Sequence, residues 1–353
     1  MPELFGAVFA RGAAAEAVSG RAWLEALLSA EAALARAAAE VGVIETGAAE
    51  TIAAAAVPAN FDPEAVAASA AAIGNPVAGV VDRLRELVPA DHRDAVHYQA
   101  TSQDLLDTAM MIVAKAAVAA IADDLHGCDR ALERLEAVPG DLIGRTLLQR
   151  AVPLPARDRA IAWRAGLWDP INLLGRLEFY SSYGGPVGAN WALDGDTDFA
   201  DIQQLMSEEL GLEPRLDWHT MRSPVVRIGA AAAEAAGACA KIAVDVILLS
   251  QNEIGEVSEA RPGGSTSMPH KRNPVAATCA RACAARTPGL LATLYAAMPQ
   301  ELQRSPGLWH SEWETLSDLL RLTGSAAAWL RECLEGLQTH PEAMARNLEE
   351  GTA

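Results

Sequence analysis

The chain has 353 residues, a formal net charge of -18, 51% apolar residues and only 5% aromatics. So large an acidic excess excludes a nucleic-acid or membrane-surface role, which needs a basic face, but leaves room for a small anionic ligand in a local positive pocket. The length exceeds what one compact core usually holds, and the abundant alanine favours helix over strand, so an all-α fold of two or three subdomains is expected.

From MPELFGAVFARG onward no segment approaches an uninterrupted apolar span of ~20 residues, so no membrane helix is expected. Trp23, Leu27, Ala30, Leu34, Ala37 and Val41 recur at intervals of three and four and predict a long amphipathic helix from Arg21 to about Val41. Further helices are expected over about 48–57, 63–73 and 77–87, with Gly74-Asn75-Pro76 stopping one and starting the next. Thr101 and Asp104 have the spacing of a capping box ahead of a helix running to about Ala137, where Pro139-Gly140 ends it. Another helix follows Pro155 and reaches about Tyr180. The longest, from about Pro224 to Ser258, is apolar nearly all round and would be ~50 Å long. A chain of this size is expected to cover it only by assembling into a homo-oligomer around a shared bundle.

Cys128, Cys239, Cys279, Cys283 and Cys333 show no CxxC spacing. They read as small buried apolar side chains, and the odd count without a signal peptide points to a reducing cytoplasm. No metal or organic cofactor is implied.

The run Gly263 to Pro274, GGSTSMPHKRNP, breaks the helical pattern. Asn273 reads as a helix N-cap with Pro274 in the first turn. Lys271 and Arg272 would then stand before a helix N-terminus, where free N–H groups and the dipole favour an anion. Gly263 and Gly264 would let the loop close over a ligand, with Ser265, Thr266 and Ser267 on its flexible side.

This loop resembles the signature G-S-S-x-M-P-x-K-x-N-P of the fumarase/aspartase superfamily: Gly264, Ser265, Met268, Pro269, Lys271, Asn273 and Pro274 match, and Thr266 replaces the second serine. Two more blocks resemble that family in the same order, His97 to Asp104 (HYQATSQD) and Gly144 to Gln149 (GRTLLQ). The resemblance covers roughly Leu4 to Leu348. It implies an all-α, fumarase/aspartase-like fold with a long central bundle, divided into an N-terminal domain 1–95, a bundle domain 96–340 and a short tail 341–353 in place of the usual third helical domain. It also implies a homotetramer with sites shared between subunits.

The resemblance assigns proton transfer to Ser265. Lys271 and Asn273 would hold the carboxylate whose α-carbon reacts. Thr101, Ser102, His97, Gln149, Thr266 and Arg304 would contact the substrate, while His219 and His310 read as structural. Leu147 stands where most lyases of the family carry an acid/base histidine. Gly74-Asn-Pro-Val77, Trp218-His-Thr220, Gln251 to Glu256 and Trp309 to Trp313 resemble the 3-carboxy-cis,cis-muconate cycloisomerase branch. There the nucleophile is already a carboxylate, so one proton donor suffices. The implied function is cycloisomerisation of a small tricarboxylate in the protocatechuate branch of aromatic catabolism. The alternatives are an adenylosuccinate-type lyase and a non-catalytic structural homologue.

Overall fold

A computed structural model describes residues 4–189, 198–216 and 218–352. Short helices α1 (Gly6–Phe9) and α2 (Ala13–Ala17) lead into α3 (Gly20–Val41), α4 (Thr46–Ala55), α5 (Pro63–Ile73) and α6 (Val77–Leu87). Ser19 caps α3 by accepting from the Ala22 N–H at 3.2 Å. The α5–α6 break forms as the sequence suggests. Gly74 takes a left-handed φ of 89° that suits glycine, and Asn75 Oδ1 accepts from the Val77 N–H at 3.1 Å.

The bundle begins with α7 (Ser102–Leu135), followed by the hairpin of β1 (Asp141–Thr146) and β2 (Gln149–Pro155), α8 (Ala156–Leu174), α9 (Asp198–Leu210) and α10 (Ser223–Leu249). Strand β3 (Val257–Glu259), α11 (Val275–Ala284), α12 (Thr287–Ala296), α13 (Leu308–Glu335), β4 (Leu337–Thr339) and α14 (Pro341–Thr352) complete it. Directions follow from the cross-links. Arg222, ahead of α10, bonds Asp107 near the start of α7 and Glu312 near the start of α13. Arg331, near the end of α13, bonds Asp123 and Asp124, two-thirds along α7. So α7, α10 and α13 run the same way, while α8 returns beside α7 through Arg164 and Asp129. Helices α11 and α12 also return, from Glu259 to Gln300.

One apolar core fills this bundle, with Leu125, Val225, Ile228, Leu319 and Leu330 at its centre. A second joins α3, α4, α6 and the first turns of α7. Together with the small β ladders, this is the all-α architecture expected.

Four details differ from the sequence reading. Helix α10 stops at Leu249, about 40 Å long, because Gly255 turns at φ 61° and buried Glu256 leaves the helix to pair with Arg145 and Arg159. Helix α8 ends at Leu174. The tail forms α14, whose Met344 packs on Leu142 and Ala156. Helix α10 is already covered within one chain by α8, α11, α12 and α13, so its burial does not by itself require a second copy.

Helix α7 also contains an 18-residue window apolar enough to cross a membrane, which the sequence reading missed. That window is 67% buried inside the fold, as a core helix is. The five cysteines are unpaired, and all but Cys279 are fully buried.

Candidate active site

The capping box at the start of α7 forms, and it is the hub of a larger structure. Asp104 is fully buried and accepts from the Thr101 N–H at 2.9 Å, the Gly184 N–H at 2.7 Å, the Gly185 N–H at 2.9 Å, Ser182 Oγ at 3.0 Å and His219 Nε2 at 2.7 Å. Burial alone would raise its pKa. The bonds from His219, Gly184 and Thr101 outweigh that and hold it below its usual value. His219 thus anchors Asp104 within this buried network. His310 is exposed and lies among the Trp309 and Trp313 rings.

Thr101, Ser102 and Arg304 come together here. Arg304 Nη2 donates to Thr101 Oγ1 at 2.6 Å, and its Nε donates to Gln103 Oε1 at 3.2 Å. The first N–H groups of α7 have no intrahelical acceptor. A guanidinium beside them makes a cationic rim suited to a carboxylate. His97 stands just ahead of Thr101 with a left-handed φ of 61°, and its Nδ1 lies 2.6 Å from Glu31 Oε1. Burial works against the imidazolium, but the Glu31 carboxylate more than compensates, so the His97 pKa is raised.

Beneath this rim lies an ionic cluster absent from the sequence reading. Arg222 is fully buried, with Nη1 2.7 Å from Asp107 Oδ2 and Nη2 2.6 Å from Glu312 Oε2. Trp309 Nε1 also donates to Asp107, and Gln300 Nε2 to Glu312. Burial, reinforced by the nearby Asp107 charge, pushes the Glu312 carboxyl up to about 7. The sequence signal was present: an arginine at the head of an apolar helix, and an acid between Trp309 and Trp313.

The signature loop lies elsewhere. Gly263 and Asn273 exchange backbone hydrogen bonds at 2.8 and 2.9 Å, closing the loop at its base. A Cβ at Gly263 would come within 2.2 Å of Val275 Cγ2, so any larger residue there must displace that side chain. Ser265 Oγ accepts from the Ser267 and Met268 N–H groups at 3.4 and 3.2 Å. Thr266, Lys271 and Arg272 are exposed.

The expected N-cap is corrected. Asn273 Nδ2 donates to Gly264 O, and α11 begins at Val275. Its first N–H groups are taken by Glu259, which accepts from Ala276 and Ala277 at 3.1 and 2.8 Å. Those groups therefore do not serve an external anion. The loop still carries the exposed cations Lys271 and Arg272.

The GRTLLQ block is the tip of the β1–β2 hairpin. Gln149 pairs with Thr146, and Leu147 and Leu148 make the turn at φ 51° and 64°, 96% and 69% exposed. Such a turn favours Asn-Gly. Two exposed leucines there lack a stabilising role within one chain. The hairpin lies over the far end of α10, enclosing a pocket of about 720 Å3 with Trp163, Leu248 and Leu249.

The two groups are thus separated. Thr101, Ser102, His97 and Arg304 sit where α10 starts. The hairpin, and the loop that follows β3, sit where it ends, about 40 Å away by helix rise. One chain does not bring all nine sequence-selected residues to one site.

A protein family described as lyase matches residues 9–289. A nitrosuccinate lyase from Streptomyces davaonensis is 40% identical over 94% of this chain and 74% of its own length. A 3-carboxy-cis,cis-muconate cycloisomerase from Bradyrhizobium diazoefficiens is 38% identical over 94% of this chain and 76% of its own. The crystal structure of 3-carboxy-cis,cis-muconate lactonizing enzyme from Pseudomonas putida superposes with a TM-score of 0.92 at 36% identity, covering 98% of this chain and 79% of that one. With its bundle, its three ordered motif blocks and these likenesses, the chain belongs to the lyase family of the fumarase/aspartase superfamily.

Proposed function

We propose that the protein is a cycloisomerase interconverting 3-carboxy-cis,cis-muconate and a carboxymuconolactone. Two observations support this reading: the likeness to the muconate lactonizing enzyme, with a TM-score of 0.92, and Leu147, which separates it from an adenylosuccinate-type lyase. The hairpin tip presents a hydrocarbon at 96% exposure where family lyases offer a proton-transfer histidine. Lactone formation needs no second proton-transfer group. One substrate carboxylate attacks the ring-closing carbon, and the adjacent carbon gains a proton. The same hydrocarbon weighs against an adenylosuccinate-type lyase.

In this reading Ser265 transfers the proton, and Lys271 and Asn273 stabilise the charge on the carboxylate next to the reacting carbon. Thr101, Ser102 and Arg304 hold another carboxylate, with His97, Thr266 and Gln149 completing the contacts. Because the two ends of α10 are about 40 Å apart, the complete site is built from more than one chain. By resemblance the assembly is a homotetramer. The exposed Leu147 and Leu148 are then covered by a neighbouring copy. Free, mostly buried cysteines fit a cytoplasmic enzyme.

A lyase reaction on nitrosuccinate is the second reading, favoured by the 40% identity to the Streptomyces enzyme. Its leaving group would depart as a weakly basic anion, so Leu147 is equally compatible. An ultraviolet assay following loss of the conjugated diene of the muconate, with nitrosuccinate in parallel, separates them. Turnover of the muconate supports the cycloisomerase, and turnover of nitrosuccinate alone overturns it.

A further inference from the structure

We infer that Gln103 is a positioning residue: it couples the buried Arg222 cluster to Arg304 and sets where that guanidinium meets a substrate carboxylate. The inference deepens the proposed function and rests on its placing of Arg304 in the substrate site.

Gln103 is fully buried on the first turn of α7. Its Nε2 lies 2.7 Å from the His219 carbonyl and 3.2 Å from Asp107 Oδ2. Both partners are obligate acceptors, so the amide nitrogen must face them, and Oε1 must face the other way. That oxygen receives Arg304 Nε at 3.2 Å. The orientation of the amide is dictated by chemistry, and the direction of Arg304 follows from it.

The anchor beneath is rigid. Asp107 is held by Arg222 through both terminal nitrogens and by the Trp309 indole. Arg222 is held in turn by Glu312 through Nε and Nη2. The loop carrying Arg304 is tied to the same cluster by Gln300, which donates to Glu312 at 2.9 Å. Arg304 itself is exposed, and Leu302 beside it stands 84% exposed with a left-handed φ of 50°. Little else holds this arginine. Its bond to Thr101 fixes Nη2, while Nη1 takes no bond among the described residues and is left for a ligand. Without Gln103, Arg304 would keep one anchor and swing about it.

The test is a double-mutant cycle of Gln103→Met and Arg304→Met, read as KM and kcat on whichever of the two candidate substrates is turned over. Failure of the muconate assay alone therefore displaces the proposed substrate without touching this inference. Arg304→Met should raise KM on the order of tenfold or more, as for a lost charge-assisted bond. Gln103→Met should raise KM about fivefold in the parent and leave it nearly unchanged in the Arg304→Met background, with kcat little altered in both. Equal effects in both backgrounds, or an unchanged KM in the parent, would overturn the coupling.

Gln103→Glu gives a second readout if Gln103→Met folds poorly. Ionised, that side chain would repel Asp107 and neutralise Arg304. Protonated, it can donate to Asp107 and present its carbonyl to Arg304 as the amide does. Its KM relative to the parent should therefore fall as the pH is lowered. A ratio independent of pH would count against the inference.

Discussion

Replacing Glu312 with glutamine tests the buried ionic cluster quantitatively. Arg222, Asp107 and Glu312 are all essentially inaccessible to solvent. One guanidinium there faces two carboxylates, so the second carboxylate is poorly compensated. Burial, with the Asp107 charge, holds Glu312 at about 7 against an ordinary 4.5. Between those values the folded protein binds a proton that the unfolded chain has released, so stability falls as pH rises. The contribution is fully present below about 4.5 and is lost as pH passes about 7. At 1.36 kcal/mol per tenfold change in proton affinity, the loss is about 3 kcal/mol. Glu312→Gln keeps the shape and one acceptor oxygen for Arg222, turns a donating amide nitrogen toward Gln300, and cannot titrate. Urea denaturation followed by tryptophan fluorescence, at pH 5 and 7.5 and matched protein concentration, should show the parent losing about 2–3 kcal/mol relative to the variant. Parallel behaviour at the two pH values, or a parent that gains stability at the higher one, would refute the reasoning.

Other expectations follow from single contacts. Ser265→Ala should lower kcat by about 10²- to 10⁴-fold with an unchanged Tm, because the hydroxyl accepts only two long intraloop bonds; near-normal turnover removes Ser265 from the proposed mechanism. Glu259→Ala frees the first N–H groups of α11 and should cost about 1–3 kcal/mol in denaturant melts, with activity falling as the loop base at Asn273 loosens. Leu147→Asp should leave the fold of the chain intact, since that side chain is 96% exposed. It should weaken both assembly and activity, read by light scattering and turnover; a fully active oligomer would show that the tip is not covered by a neighbour.

The elements that were legible in sequence are those with local causes. Helix α3 follows its apolar spacing, α5 and α6 meet at Gly74-Asn75-Pro76, and the Thr101–Asp104 capping box forms from four adjacent residues. Where distant residues decide, the reading failed. Asn273 looks like an N-cap until Glu259, fourteen residues earlier, is seen to take that role. Helix α10 looks nine residues longer until Glu256 is seen to pair with Arg145 and Arg159. The site shows the same division. Its motif blocks could be recognised one by one, and Arg304 lies beside Thr101 although 203 residues separate them. The supporting cluster of Gln103, Arg222 and Glu312 joins positions 103, 222 and 312, and no local pattern links them. Nor does spacing along the chain reveal that the loop and the arginine rim lie at opposite ends of α10.

That separation makes the central claim directly testable by mixing two crippled variants. Ser265→Ala removes the proposed proton-transfer group at one end of the bundle, and a Thr101→Val/Arg304→Met double variant removes the carboxylate rim at the other. Each is assayed alone and then after co-expression, with substrate well below the KM of the double variant. If the site draws its two halves from different chains, mixed oligomers contain some sites with both halves intact, and activity returns to a measurable fraction of the parent. If mixed oligomers form and activity stays at the level of the separate variants, the two halves do not meet across chains, and the shared-site account is wrong.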